Sequence, residues 1–155
     1  MFPNPLASTI EHFGVEMESH AEARRIAGMV FDHAYARAVL AKWWVKLSGK
    51  SNELRTLSHQ PQAARQTMGM TVVPLNRIVG TEGRSEDFDA DFRPLKKHSR
   101  ERWINVAAAR RTRVVLPAVE LVQDRDEYYV RDGHHRISVA KAMGQLEIDA
   151  RLVNS

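Results

Sequence analysis

Apolar and polar positions change their rhythm once along this chain. From about Ser19 to Leu47 there is no proline, and Ala, Arg, Glu, Lys and Leu dominate. Met29, His33, Ala36, Leu40, Trp43 and Leu47 recur there at alternating spacings of four and three. That period predicts one long amphipathic helix. Trp43 and Trp44 then read as core or oligomer contacts rather than a base-stacking platform, so a homo-oligomer formed through this helix is expected. Gly28 is a candidate break, and Ser48-Gly49-Lys50-Ser51-Asn52 carries the turn chemistry that ends a helix. A shorter helix is predicted over Glu53 to Thr67.

Beyond Gly69 the apolar period falls to two, which predicts strands. Thr71 to Leu75 and Arg77 to Val79 form one broken run, with Pro74 marking an edge or a kink. Val114 to Val122 and Glu127 to Arg131 flank a polar connection of hairpin length and should pair antiparallel. In the last strand, Leu146 to Val153, Ile148, Ala150 and Leu152 alternate with Glu147, Asp149 and Arg151. The expected organisation is a flexible arm over 1–18, a helical segment over 19–68 and an α+β domain over 69–155.

Composition narrows the chemistry. A chain of 155 residues with 43% apolar content can bury its own core. With no cysteine, thiolate metal sites, disulfides and cysteine nucleophiles drop out. No run approaches the ~18 apolar residues of a membrane span, so a cytoplasmic protein with no membrane partner is expected. The net charge of +4 favours anionic partners in general.

The informative stretch runs from Tyr128 to Gly144 and reads as strand, tight turn and helix. Asp132 is a candidate N-cap acceptor, Gly133 allows close backbone approach, and Gly144 can end the helix as a left-handed residue. Such a helix start offers unpaired N–H groups and the positive dipole end to an anion, here with His134, His135 and Arg136 in the first turn. Phosphate is the natural ligand. Arg136 is expected to project to the ligand and grip two oxygens, His134 or His135 to move a proton, and Ser138 to add a hydroxyl. The bland alternative is a surface cap with no ligand. Adjacent histidines lie roughly 100° apart around a helix, so no metal site is expected from them.

A strand-turn-helix with Gly133-His134-His135-Arg136, small residues and a glycine resembles the signature box of the ParB and sulfiredoxin superfamily. Partition proteins of that superfamily carry G-E-R-R-x-R-A there, so that His134 replaces the glutamate while His135 and Arg136 take the arginine positions. Sulfiredoxins carry G-C-H-R, where His134 replaces the catalytic cysteine, and a chain without cysteine cannot reduce sulfinic acids. The similarity covers about residues 71–153, with Val73 to Ile78 and Leu116 to Val119 resembling two strands of the family. More closely, it resembles a group of bacterial ParB-like proteins that combine a helical front segment with I-V-G-x-x-G-R, R-x-R-W and V-R-D-G-H-H-R-like boxes.

The resemblance implies a mixed sheet with helices behind an N-terminal helical arm, and a nucleotide cofactor such as ATP, ADP or CTP. It implies phosphoryl chemistry, as triphosphate hydrolysis or as phosphotransfer by a small-molecule kinase. Magnesium enters only as an ion carried in with the nucleotide. In a kinase branch of the superfamily a glutamate after the first strand is the catalytic base, which assigns that role to Glu82 and charge neutralisation to Arg84. Read without the family, Gly80 to Arg84 is a glycine-bounded turn. The alternatives are a non-catalytic module binding nucleic acid or protein, and a nuclease.

Two further features carry charge. Asp87, Asp89 and Asp91 have the spacing of the first ligands of a calcium loop, but Arg93 and His98 stand where glycine and glutamate are required. The stretch is read as a solvated loop pegged by Phe88 and Phe92. Lys96, Lys97, Arg100, Arg102, Arg110, Arg111 and Arg113 form two basic clusters able to track a phosphate backbone, without a module for reading base sequence.

Overall fold

In the computed structural model, residues 5–57, 67–83 and 86–153 are described, with side chains from Ser19 onward. Three helices, α1 (Pro5–Ser48), α2 (Arg100–Arg111) and α3 (His134–Ala142), accompany six strands: β1 (Arg55–Thr56), β2 (Thr67–Pro74), β3 (Ile78–Thr81), β4 (Val119–Asp124), β5 (Glu127–Asp132) and β6 (Glu147–Val153). The strands form one mixed sheet in the order β1-β3-β5-β4-β6-β2. Neighbours β1 and β3, β3 and β5, and β4 and β6 run parallel, whereas β4 and β5, and β2 and β6, run antiparallel. The fold is α+β, a mixed sheet with helices behind an N-terminal helix.

Two apolar cores stack in layers. The first joins the sheet to α3 through Val73, Ile78, Val119, Leu121, Val130, Ile137, Ala140, Ile148 and Ala150. The second joins α3 to α2 and α1 through Val139, Trp103, Ile104, Ala107, Ala27 and Phe31. Phe92 enters the first core and Phe88 the second, so both act as the expected pegs. Helix α3 is therefore held on two sides, and its first turn has little freedom to shift.

Several expectations are corrected. Helix α1 runs from Pro5, through residues read as a loose arm, because proline at a first helical turn loses no hydrogen bond and none interrupts the following residues. It also passes through Gly28 without a break. The buried stripe of α1 is Ala23, Ala27, Phe31, Ala34 and Ala38, while Met29, Leu40, Trp43 and Leu47 of the predicted stripe are exposed. Small side chains let α1 approach α2 closely, where Phe31 meets Trp103 edge to face at 5.5 Å. In place of the helix predicted from Glu53, residues 55–56 pair with β3, and residues 58–66 lie outside the described ones. The strand predicted from Val114 begins only at Val119.

The hairpin of β4 and β5 and the last strand form as predicted. Pro74 ends β2, an edge strand, as the sequence pattern required. Among the described residues, no helix is long and apolar enough to cross a membrane.

Candidate functional site

Parallel pairing of β3 with β5 brings the carboxyl ends of both strands to one sheet edge. The turn after β3 and the start of α3 after β5 therefore open side by side. Gly133 makes the second of these possible. Its φ is 103°, and a Cβ there would lie 2.6 Å from Val119 Cγ1, so no other residue fits without displacement. Gly133, and not Asp132, is the N-cap of α3, and no side chain caps the helix.

One link ties the two strand ends together. His134 Nε2 lies 2.9 Å from Thr81 Oγ1. The same hydroxyl donates to Val130 O at 3.1 Å and accepts from Gly83 N at 3.1 Å. Because the hydroxyl's only proton goes to Val130, the network assigns the Nε2–H tautomer to His134, which donates to Thr81 and leaves Nδ1 with a lone pair. Both imidazoles pack on Phe88: His134 stacks at 6.2 Å and His135 meets it edge-on at 5.1 Å.

Burial sets the charge of the pair. Desolvation lowers the His134 pKa, against the opposing pull of Asp132 and Asp87. It lowers that of His135 to about 4, with help from the nearby Arg102 charge. Both rings are neutral at pH 7. His135 Nε2 is buried and has no hydrogen-bond partner.

The other sequence-predicted residues are differently employed. Arg136 does not project to a ligand: it donates to Pro117 O at 2.5 Å, to Ala118 O at 2.9 Å and to Asp132 Oδ2 at 2.6 Å. It thereby takes the carbonyls that a longer β4 would have offered a neighbour. Asp132, expected as a cap, is its ion-pair partner. Ser138 is 2% exposed and accepts the Trp103 indole N–H at 2.9 Å, so its hydroxyl belongs to the α2–α3 interface. Both oxygens of Glu82 accept from the Arg131 guanidinium, from Nη2 at 2.6 Å and also from Nε. Strand alternation sends Thr81 to the α3 side of the sheet and Glu82 to the opposite side, away from His134. The Glu82 carboxylate is thus ion-paired to Arg131 in place of the proton-accepting role expected of it. Arg84 lies outside the described residues.

The basic clusters are largely spent within the molecule. Lys96 lies 3.3 Å from Asp87, Arg100 lies 3.1 Å from Asp32, and Lys97 sits over the Tyr35 ring. Arg110 is partly buried, and desolvation lowers its pKa. Arg102, Arg111 and Arg113 are exposed, Arg102 close enough to His135 to depress its protonation. Asp89, in the loop with calcium-like acid spacing, is 1% exposed and accepts from Asp91 N, Arg93 N and Arg93 Nε. Its carboxylate organises the loop. Among the described residues no three His, Asp or Glu side chains are grouped to hold a metal ion.

Sequence reasoning missed Thr81 and Arg131, and saw in Phe88 only a peg. The signal for Thr81 was weak: a hydroxyl closing an apolar strand, at the place where a parallel neighbour would end. No family model matches the chain, and no curated protein matches it. In structure it is similar to sulfiredoxin from Arabidopsis thaliana, with a TM-score of 0.42 and 15% sequence identity over 56% of this chain and 86% of that one.

Proposed function

We propose that the chain binds the phosphate group of a nucleotide at the first turn of α3 and performs phosphoryl chemistry there, with His134 as the proton-carrying group. The observation that carries the reading is the Thr81–His134 hydrogen bond, which joins two strand ends at the start of a helix whose Gly133 cap leaves the first N–H groups without a side-chain acceptor. Those N–H groups and the dipole favour an anion. A neutral His134 with a free Nδ1 lone pair can accept a proton at pH 7, as a general base must.

Space for the rest of a nucleotide lies beside Phe88. A groove of about 510 Å³ opens there between α1 and the loop that carries Phe88, lined by Lys42, Val45, Asn52, Leu54 and Leu95 among others. That volume falls in the range of small-molecule sites. Magnesium would arrive with the phosphates.

Calorimetry against ATP, ADP, CTP and GTP, with and without magnesium, tests the reading. One nucleotide should bind, and His134→Ala should keep the fold while lowering turnover by about a hundredfold or more. Absence of heat with all four nucleotides would overturn it.

A further inference from the structure

We infer that the outward face of α1 is a dimerisation seam that pairs antiparallel with the same face of a second copy of this chain. Helix α1 packs against the body through Ala23, Ala27, Phe31, Ala34 and Ala38. The face half a turn away carries Met29, Leu40, Trp44 and Leu47, which are 61%, 62%, 71% and 81% exposed, with Trp43 beside them at 66%. Two adjacent tryptophans and three more large apolar side chains on one helix face form a patch larger than a soluble monomer usually leaves open.

The spacing of this face fits a second copy of the same helix. From Glu22 to Leu47, the outward positions follow steps of 3, 4, 4, 3, 4, 4 and 3, an 11-residue repeat that keeps one stripe aligned along a nearly straight helix. The series reads the same from both ends. A second copy running in the opposite direction therefore meets it position for position about a two-fold axis, as an isologous interface requires. His33 meets Ala36 at the axis, where the alanine leaves room for the facing imidazole. Moving outward, Met29 faces Leu40, Arg25 faces the Trp44 indole, and Glu22 faces Leu47.

Charge selects the same direction. The second half of α1 is net basic, with Arg37, Lys42 and Lys46 against Asp32 and, just past its end, Lys50, whereas the first half is net acidic, with Glu11, Glu16, Glu18 and Glu22 against Arg24 and Arg25. Antiparallel pairing brings the Lys46 and Lys50 end of one copy to the Glu22 end of the other. Parallel pairing would stack lysine on lysine. The seam spans 25 residue steps, about 38 Å at 1.5 Å per residue, long enough to approach the ~800 Å² per partner of a stable interface.

The test uses the full chain. Sedimentation velocity should give a dimer for the wild type and a monomer for the double variant Leu40→Glu with Trp44→Glu. That variant should keep the wild-type far-UV circular dichroism and a cooperative melt because both side chains are exposed in a single copy, with a melting temperature lowered only by the lost dimer linkage. Direction is read by cross-linking, which the absence of cysteine makes clean. Met29→Cys and Leu40→Cys chains, mixed and treated with a short bis-maleimide, should link to each other. Met29→Cys alone should not, because its two copies lie about 16 Å apart along the seam. A monomeric wild type at every concentration, a dimer that survives the double variant, or efficient linking of Met29→Cys to itself would each overturn the inference.

Discussion

The first turn of α3 has two sides that differ in what their polar atoms do. On one side Arg136 spends its guanidinium on Pro117, Ala118 and Asp132, and none of that geometry needs a ligand. On the other, His134 and His135 lean on Phe88, with a tautomer set by Thr81 and a buried imidazole nitrogen that has no partner. Two neighbours in a four-residue box thus serve different ends. The arginine builds the turn, and the histidines are what the turn presents. Charge and proximity to a helix start could not have separated them, because that separation depends on which way each side chain leaves the helix.

The comparison breaks completely if the turn itself cannot form. Gly133→Ala places a Cβ 2.6 Å from Val119 and forces a left-handed φ on a residue with a side chain. The expected loss is roughly 2–4 kcal/mol, from about 1 for the backbone and 1–3 for the overpacked contact. Urea unfolding reads it directly. Both sides should fail together, with stability and nucleotide affinity falling in the same variant. A fully stable Gly133→Ala protein would mean that Val119 and the turn relax freely.

Arg136→Ala should sharpen the difference. It leaves the Pro117 and Ala118 carbonyls without their donor and Asp132 without its cation, a loss of about 2–3 kcal/mol for hydrogen bonds to a charged group that is mostly buried. His134→Ala should cost the fold far less and the chemistry far more. The reverse pattern, a stable Arg136→Ala chain that no longer binds nucleotide, would return the arginine to the ligand and dissolve the contrast.

How much of this was legible depends on which physical term decided each element. The β4–β5 hairpin, the edge position of Pro74 and the strand-turn-helix around Gly133 follow from turn chemistry and period-two alternation, which are local. The packed face of α1 does not. Large apolar residues mark the stripe from Met29 to Leu47, yet alanines are buried, because closeness to α2 rewards small side chains and burial was decided by the partner helix. Likewise the carbonyls just before β4 are engaged by Arg136, 18 residues away from Ala118, and Glu82 by Arg131 across a parallel pairing. Such contacts leave no periodic trace.

The smallest predicted effect concerns the histidine side of the turn, and it needs no ligand to be seen. His135 titrates near 4 in the folded chain, against about 6.5 when exposed. Between those values the unfolded chain takes up a proton that the folded one refuses, so unfolding gains as pH falls. The stability contributed by keeping this ring neutral is complete above pH 6.5 and is lost progressively down to about pH 4. At 1.36 kcal/mol per pH unit the difference would reach ~3 kcal/mol, but the ring is only partly buried and solvent screening reduces this to about 1–2 kcal/mol. Urea midpoints for wild type and His135→Gln between pH 7.5 and 4.5 isolate it, since carboxylate titrations contribute to both chains alike. The wild-type curve should fall more steeply over this range. Parallel curves would mean that His135 is solvated and that the two sides of the turn differ less than their geometry implies.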